Sequence, residues 1–218
     1  NSKKIIRATL DLVDIAGLVK GASEGEGLGN AFLSNIREMQ ALAHVVRCFE
    51  DQNITDVDGS IDPVRDAEII NLELIFADIE TISKRILKTE KLLKTSDQEI
   101  KKNYELLMTI KSKLESGNFI SLIEYSEDEQ TYIKTLNLLT VKPMFYIANV
   151  SDDEKSMKLL SNLEDFAKQN DHDVVPTFIK IEQEISLLND DEKNEYLELM
   201  GMDEPVLNKV IFKGYEIL

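Results

Sequence analysis

Two long runs of apolar residues at helical spacing constrain the fold of this chain most strongly. Steps of three, four and seven residues relate the members of the first run, Ile75, Ile79, Ile82, Ile86 and Leu93. Similar steps relate those of the second run, Ile100, Tyr104, Leu107, Ile110 and Leu114. Ser96 and Glu99 in the intervening break have the spacing of a capping box, which predicts a new helix there. Two helices joined by so short a turn must run antiparallel and bury their stripes against each other.

Apolar strands alternate with amphipathic helices on both sides of this hairpin. The segment "RATLDLVD" predicts a strand ending at Asp14, and "LAHVVRCFE" predicts a second strand, buried on both faces. Between them, Asn30 is predicted to cap a helix. The apolar stripe of that helix is Phe32, Leu33, Ile36 and Met39. Later strands are predicted at "KPMFYIANV" and "DVVPTFIKI", with a helix at "MKLLSNLEDFAKQ" between them.

The order of elements predicts the domain organisation. Ser126 and Glu129 form a second capping-box pattern, which predicts a helix running toward Leu138. Two final helices are predicted, one closed by Gly201 and one with Pro205 in its first turn. We therefore expect an α/β fold, a mostly parallel sheet flanked by helices, with an inserted antiparallel coiled-coil hairpin. The α/β domain would comprise residues 1–62 and 139–218, and the helical insertion residues 63–138.

Charge and composition limit the classes of function. The net charge of −16 argues against a chain that wraps nucleic acid over its whole surface. Basic residues concentrate locally, at Lys84, Arg85, Lys88, Lys91, Lys94, Lys101, Lys102, Lys111 and Lys113. That cluster fits either contact with RNA or an acidic partner, or a solvated helix face. Without a long apolar run or a signal-peptide pattern at "NSKKIIRATL", we expect a cytoplasmic protein with no membrane partner, and Cys48, the single cysteine, as a buried, reduced thiol.

A glycine-rich stretch, "VDIAGLVKGASEGEGLGNAF", follows the first predicted strand and opens with the pattern D-x-x-G, formed by Asp14 and Gly17. In nucleoside triphosphatases, an aspartate at such a strand end holds Mg²⁺ through a water, and the glycine N–H contacts the γ-phosphate. Those contacts exist only while the γ-phosphate is bound, which makes the pair a sensor. The alternative is structural, because a strand, an aspartate and a glycine loop are common in α/β folds.

A second motif, N-x-x-D, lies after the strand "MFYIA" and comprises Asn149, Val150, Ser151 and Asp152. The asparagine is suited to contact a base, and the carboxylate to accept the paired N–H donors of a guanine edge. Ser151 with Glu154 also has capping-box spacing, so the segment is equally able to start a helix. The two interpretations are compatible.

The segments "DLVDIAGLVKGASEGEGLGNAFLSNIRE", "AHVVRCFED", "NITDVDGSIDPVRDAEIINLELIFADIE" and "LLTVKPMFYIANV" resemble the YchF group of Obg-related P-loop NTPases, also called Obg-like ATPases. The resemblance covers essentially the whole chain. It implies an α/β P-loop domain with a coiled-coil insertion. It also implies a cytoplasmic, ribosome-associated protein that binds ATP, and often GTP, and hydrolyses it slowly.

By resemblance, Asp14 and Gly17 are the magnesium and γ-phosphate switch residues, and Leu18 occupies the position where many GTPases have a water-orienting glutamine. Leucine has no donor or acceptor for that role, so catalysis must come from a potassium ion, a partner or another loop, or Leu18 simply packs against the sheet. Asn149, Val150 and Asp152 correspond to the base-reading motif. The family usually has N-x-x-E there, whereas Asp152 favours guanine. On family grounds we nevertheless place ATP slightly ahead, with GTP close behind.

The phosphate-loop pattern G-x-x-x-x-G-K-[ST] does not occur in the sequence. The resemblance places that loop before the first strand and a small TGS domain after Leu218, so we expect an interior fragment with little nucleotide affinity or activity of its own. Two other hypotheses stay open. One is a non-catalytic interaction module whose helical hairpin docks on the ribosome or another partner, and the other is an α/β domain whose motifs are structural remnants.

Overall fold

A computed structural model describes residues 9–15, 28–51, 60–95, 97–199 and 204–218. The chain forms two compact units. The first, called the sheet unit here, comprises Asn1–Asp14, Ala43–Asp66 and Met144–Leu218. The second, the helical unit, comprises Ile15–Leu42 and Ala67–Pro143. The domain limits given above stay a prediction. In the described ranges, no helix combines the length and apolar character needed to cross a membrane.

The described strands and helices alternate along the chain. The strands are β1 (Leu42–Cys48), β2 (Met144–Val150) and β3 (Asp173–Thr177). The helices are α1 (Leu28–Glu38), α2 (Pro63–Glu90), α3 (Gln98–Glu115), α4 (Glu127–Thr135), α5 (Glu154–Gln169), α6 (Ile179–Ser186), α7 (Asp190–Leu199) and α8 (Val206–Ile217). Short 3₁₀ turns occupy Leu93–Thr95 and Leu122–Glu124.

The sheet unit is built on the described strands in the order β1-β2-β3, with β2 and β3 parallel. Side chains alternate across β2, so its two faces carry different neighbours. Phe145 packs with Val175, Val206 and Val210, which places α8 on one face. The next residue, Tyr146, is fully buried and its ring lies 6.3 Å from that of Phe166 in α5. Helices therefore flank the sheet, as predicted.

The buried polar groups of the sheet unit include a histidine. His44 of β1 lies with its ring 5.5 Å from the Tyr146 ring, and His172 lies 5.7 Å from the same ring. Burial lowers the pKa of His44 to about 4 and lowers that of His172 below its ordinary value. Among the described residues, Nδ1 of His44 has no hydrogen-bond partner. Both imidazoles are therefore neutral at pH 7.

The core of the helical unit confirms the apolar spacing of α2 and α3. Its buried residues are Ile75, Ile82, Ile86, Leu106, Leu107, Ile110, Leu114, Ile120, Ile133, Leu136 and Leu138. The first three come from α2 and the next four from α3, so the two helices share one core. Only seven residues separate Glu90 from Gln98. The antiparallel coiled coil itself stays a prediction.

Two buried carboxylates of α2 lie in the helical unit, Glu73 and the more deeply buried Asp78. Asp78 of α2 is fully buried, and its oxygens accept the N–H groups of Leu139 and Thr140 at 2.9 and 2.8 Å and the Thr140 hydroxyl at 2.8 Å. Arg37 of α1 lies 3.8 Å from it and donates to the carbonyl oxygen of Asn137 at 2.7 Å. Burial raises the pKa of the Asp78 carboxyl, whereas these hydrogen bonds and Arg37 oppose the rise. The network fastens α1 and α2 to the segment before β2.

Three strand predictions need correction. The first predicted strand was expected to end at Asp14, but residues 9–15 have irregular backbone. An apolar run forms a strand only where a neighbouring strand supplies the hydrogen bonds of the ladder. The strand β1 was expected to be buried on both faces, but its Val45 is 55% exposed. The reason is that β1 is an edge strand among the described strands. The predicted strand "DVVPTFIKI" stops at Thr177, and Ile179 begins α6. The apolar residues of this segment belong partly to a strand and partly to a helix, and over so few residues their spacing does not show where one ends and the other begins.

Several caps differ from those predicted. Asp97 caps α3, accepting the N–H of Glu99 at 2.8 Å, where Ser96 was expected. Asn30 is already inside α1, and Pro205 is the cap residue of α8 instead of lying in its first turn. Residue preference at a cap is a weak signal when several cap-forming residues are adjacent. Glu129 does accept the N–H and hydroxyl of Ser126 at 2.8 and 2.7 Å, which confirms that capping box, although α4 ends at Thr135. Gly201 lies outside the described residues.

Candidate functional site

The carboxyl ends of the strands in the sheet unit meet at one edge. Asn149, near the end of β2, pairs with Thr177, the last residue of the parallel strand β3. Cys48, the last residue of β1, and Ser151, just after β2, both bond to the hydroxyl of Ser156. In open α/β sheets, ligands bind outside this edge. The N-x-x-D motif therefore lies where a ligand site is expected.

The segment 151–153, called the base loop here because it carries the predicted base-reading residue Asp152, leads from β2 into α5. Asp153 caps α5 by accepting the N–H of Ser156 at 2.9 Å, so the segment does start a helix, but its cap residue is Asp153 instead of Ser151. The Ser151 hydroxyl instead donates to the other oxygen of Asp153. That hydrogen bond, followed by the one from Ser156, holds the pKa of Asp153 below its ordinary value. The loop carries an ionised cap.

The predicted base-reading residues differ in exposure. Val150 is buried in the sheet unit and Asn149 is half-buried, while Asp152 at the middle of the base loop is exposed. A carboxylate in that position is accessible to the N–H groups of an incoming base. The same end of β2 thus carries Asn149, Val150 and Asp152. The buried Val150 side chain packs in the sheet unit and holds the two polar residues on either side of it in place.

Two polar residues beside this motif were missed by sequence reasoning. Thr177 is buried opposite Asn149, and its hydroxyl donates to the carbonyl oxygen of Val175 at 3.2 Å. The sequence carried no signal for it, because the predicted strand "DVVPTFIKI" continued four residues past Thr177. Ser156 had no local signal, because Cys48 is 108 residues away in the chain. Both lie directly against the predicted site.

Asp14 is exposed and ends the part of the N-terminal segment that belongs to the sheet unit. The preceding Leu12 borders a mostly apolar cavity of about 340 Å³ together with Val45, Ile147 and Thr177. Leu10 packs against Gly214 of α8, where a Cβ would lie 2.8 Å from its Cδ2. Gly17 and Leu18 lie outside the described residues. The segment that leads to Asp14 therefore packs against the sheet unit through Leu10 and Leu12.

The ligand chemistry near Asp14 is compatible with magnesium in one respect. In the described ranges there is no group of three or more carboxylate, imidazole or thiol side chains placed to hold a metal. Mg²⁺ does not require such a group, since it keeps several waters and is bound by one or two carboxylates plus substrate phosphates. One exposed aspartate fits that mode.

Cys48 is unsuited to catalysis. Its thiol is fully buried and free, and burial, with a further contribution from Asp66, raises its pKa to about 12. The prediction of a buried, reduced cysteine is confirmed. Its carbonyl oxygen is the group that contributes to the site, through Ser156.

Comparison with known proteins identifies the family. A family model described as "50S ribosome-binding GTPase" matches residues 1–78. The "Ribosome-binding ATPase YchF" of Bacillus subtilis is 43% identical over 100% of this chain. The chain belongs to the YchF family. The YchF protein of Haemophilus ducreyi is 44% identical over 100% of the chain, and that of Escherichia coli O157:H7 is 41% identical over 99%.

The fold agrees with a solved YchF structure. The chain is similar to the Schizosaccharomyces pombe YchF GTPase, with a TM-score of 0.77 and 31% identity over 94% of this chain and 57% of that one. The chain spans 61% of the Bacillus relative and 60% of the other two. The name of the solved structure refers to GTP and those of the bacterial relatives to ATP.

Proposed function

We propose that this YchF-family chain is part of a protein that binds ATP or GTP, hydrolyses it slowly and acts as a regulatory switch on the ribosome. The observation that carries the proposal is the exposed Asp152 beside Asn149 at the carboxyl end of β2. The names of the relatives, which refer to ATP, GTP and the ribosome, support it. We also propose a cytoplasmic location, an α/β domain of residues 1–62 and 139–218, and a helical insertion of residues 63–138.

The base loop is suited to recognise the edge of a purine. The carboxylate of Asp152 is suited to accept two adjacent N–H donors, which guanine offers, while adenine presents a donor beside an acceptor. The Asn149 amide both donates and accepts, so it suits either base. ATP remains slightly favoured because of the relatives, with GTP as the close alternative.

The switch would be formed by Asp14, Gly17 and Leu18. Asp14 would hold Mg²⁺ through a water, which neutralises charge on the phosphates. The backbone N–H of Gly17 would donate to the γ-phosphate. Because Leu18 has no polar group, it cannot orient the attacking water, and a potassium ion, a partner or another loop would supply that function.

Nucleotide titration with Mg²⁺ tests this proposal, using the chain and the full-length protein. We expect the full-length protein to bind ATP or GTP more tightly than the chain. Asn149→Ala and Asp152→Ala should each reduce discrimination between the two nucleotides, whereas Asp165→Ala, at an exposed position of α5, should not. A full-length protein that binds neither nucleotide would contradict the proposal.

A second function, docking on the ribosome through the helical unit, is favoured by a basic surface between α2 and α3. Its exposed lysines are Lys88, Lys91, Lys94, Lys101 and Lys102. Among the described residues, none of these five forms a salt bridge, in contrast to Lys84 with Glu80 and Lys113 with Glu124. Leu87 and Leu92 beside them are 60% and 50% exposed. Unpaired lysines with exposed leucines suit a ribosomal RNA or protein surface in a chain that is otherwise acidic.

Charge reversal tests the docking surface. Lys88→Glu, Lys91→Glu and Lys101→Glu together should abolish co-sedimentation with ribosomes. The matched control reverses Lys158, Lys180 and Lys209, three exposed lysines of the sheet unit, and should leave co-sedimentation unchanged. Equal binding by both triple variants would contradict docking through this surface. Loss of binding to isolated ribosomal RNA as well would identify RNA as the partner.

A further inference from the structure

Ser156 is a buried serine in the first turn of α5 whose hydroxyl bonds to two other segments. Its Oγ accepts the N–H of Ser151 at 2.9 Å and donates to the carbonyl oxygen of Cys48 at 2.6 Å. The side chain is 1% exposed, so water does not replace either partner. One hydroxyl therefore links the end of β1, the base loop and α5.

The base loop is bonded at both of its ends and open at its centre. Ser151 is held by Ser156 through its N–H and by Asp153 through its hydroxyl. Asp153 is held by the N–H of Ser156 at 2.9 Å. Asp152, between them, is exposed. The two residues that flank Asp152 are thus held by Ser156 and by each other.

We infer that Ser156 is a positioning residue for base selection. Its hydroxyl holds the base loop so that Asn149 and Asp152 face the same base, and it ties this geometry to the end of β1. The inference rests on the proposed function, because it assumes a base site at Asn149 and Asp152. It extends that function to a residue outside the N-x-x-D motif, with no local sequence signal.

A second contact also joins α5 to the end of β1, but its side chains are exposed instead of buried. Lys155 bonds to Glu50 with Nζ 2.8 Å from Oε2, and both side chains are largely exposed. Exposed ion pairs contribute little and are screened by salt. Lys155→Ala therefore removes a link between the same segments without disturbing the buried hydroxyl, and it serves as one control.

The test measures base selectivity, defined as the ratio of the dissociation constants of ATP and GTP, in the full-length protein. Tripolyphosphate serves as a probe without a base. Ser156→Ala is expected to bring the ratio about threefold or more closer to one, since a buried group loses its hydrogen bonds. Tripolyphosphate affinity should stay unchanged. Lys155→Ala and Ser161→Ala, the latter at an exposed serine of α5, should keep the wild-type ratio.

Two further variants separate positioning from general stability. Ser156→Thr keeps the hydroxyl and should restore selectivity, while Ser156→Cys keeps the size but is a poor donor and should lose it. Selectivity unchanged in both Ser156→Ala and Ser156→Cys would overturn the inference. If the wild-type protein binds ATP and GTP no better than tripolyphosphate, the base site proposed above is wrong instead.

Discussion

The two units bury polar groups in different ways. The helical unit buries a carboxylate, Asp78, with three hydrogen bonds to its oxygens and Arg37 nearby. The sheet unit buries neutral groups, the Ser156 hydroxyl and the Nδ1 atom of the half-buried His44, and leaves the carboxylate of Asp152 exposed. A buried charge holds segments together but is unavailable to a ligand. Asp78 therefore serves the structure of the helical unit, while Asp152 of the sheet unit stays accessible to a ligand.

The largest expected effects come from truncating the two apolar cores. Leu107 and Leu163 are each fully buried, one in the helical unit and one in the sheet unit. Leu107→Ala and Leu163→Ala should each lower the free energy of unfolding by about 3 to 4 kcal/mol, because each leaves a cavity. Ile123→Ala and Leu187→Ala, at positions 88% and 82% exposed, are the controls. Hydrogen exchange should show the loss of protection mainly in the unit that carries the change, and equal loss in both would break the comparison.

The next effect is removal of the buried charge. Asp78→Ala should destabilise the protein by about 3 kcal/mol, since it leaves the N–H groups of Leu139 and Thr140 without an acceptor. Asp78→Asn should cost less because its amide oxygen still accepts one of them. Urea unfolding measures both. The control is Glu105→Ala, at an exposed position of α3, and a similar loss there would show that the network is not responsible.

Acid should act on the two units with opposite sign. His44 takes up a proton near pH 6.5 when unfolded but only near pH 4 when folded, so its contribution to stability falls as pH drops through that window. The loss should reach about 2 kcal/mol at pH 5. The contribution of Asp78, whose folded pKa is raised above 3.8, instead decreases as pH rises above that value.

Stability curves between pH 7 and pH 4.5 test this prediction. His44→Phe should flatten the decline, leaving the smaller contribution of His172, whose pKa is also lowered. A curve for His44→Phe that runs parallel to the wild type throughout would show that the imidazole does not govern the acid response.

The smallest expected effect separates two helix caps. Asp97→Ala removes the cap of α3 and should cost about 1 kcal/mol, with no change in nucleotide selectivity. Asp153→Ala removes the cap of α5 and also frees Ser151, so selectivity should fall. Thermal unfolding and nucleotide titration on the two variants check this. Gln98→Ala is the control, and equal selectivity in both cap variants would contradict a special role for the base loop.

Local patterns predicted much of the fold. The stripes of α2 and α3 and the strands β1 and β2 were recognised because their periodicity lies within a few residues. The errors occurred where neighbours decide. Residues 9–15 are not a strand, and Ile179 begins a helix, although both segments carry apolar runs that suit a strand. The predictions for Gly17 and Leu18 lie outside the described residues.

The amino-acid sequence by itself determined the family, the alternation of strands and helices, and the N-x-x-D motif with Asn149 and Asp152, because each is a pattern of neighbouring residues. Only the tertiary structure decided which group holds that motif in place. Ser156 reaches Cys48 across 108 residues, and Asp78 reaches Leu139 across 61. Such contacts depend on how distant strands and helices pack together, which spacing along the chain does not encode.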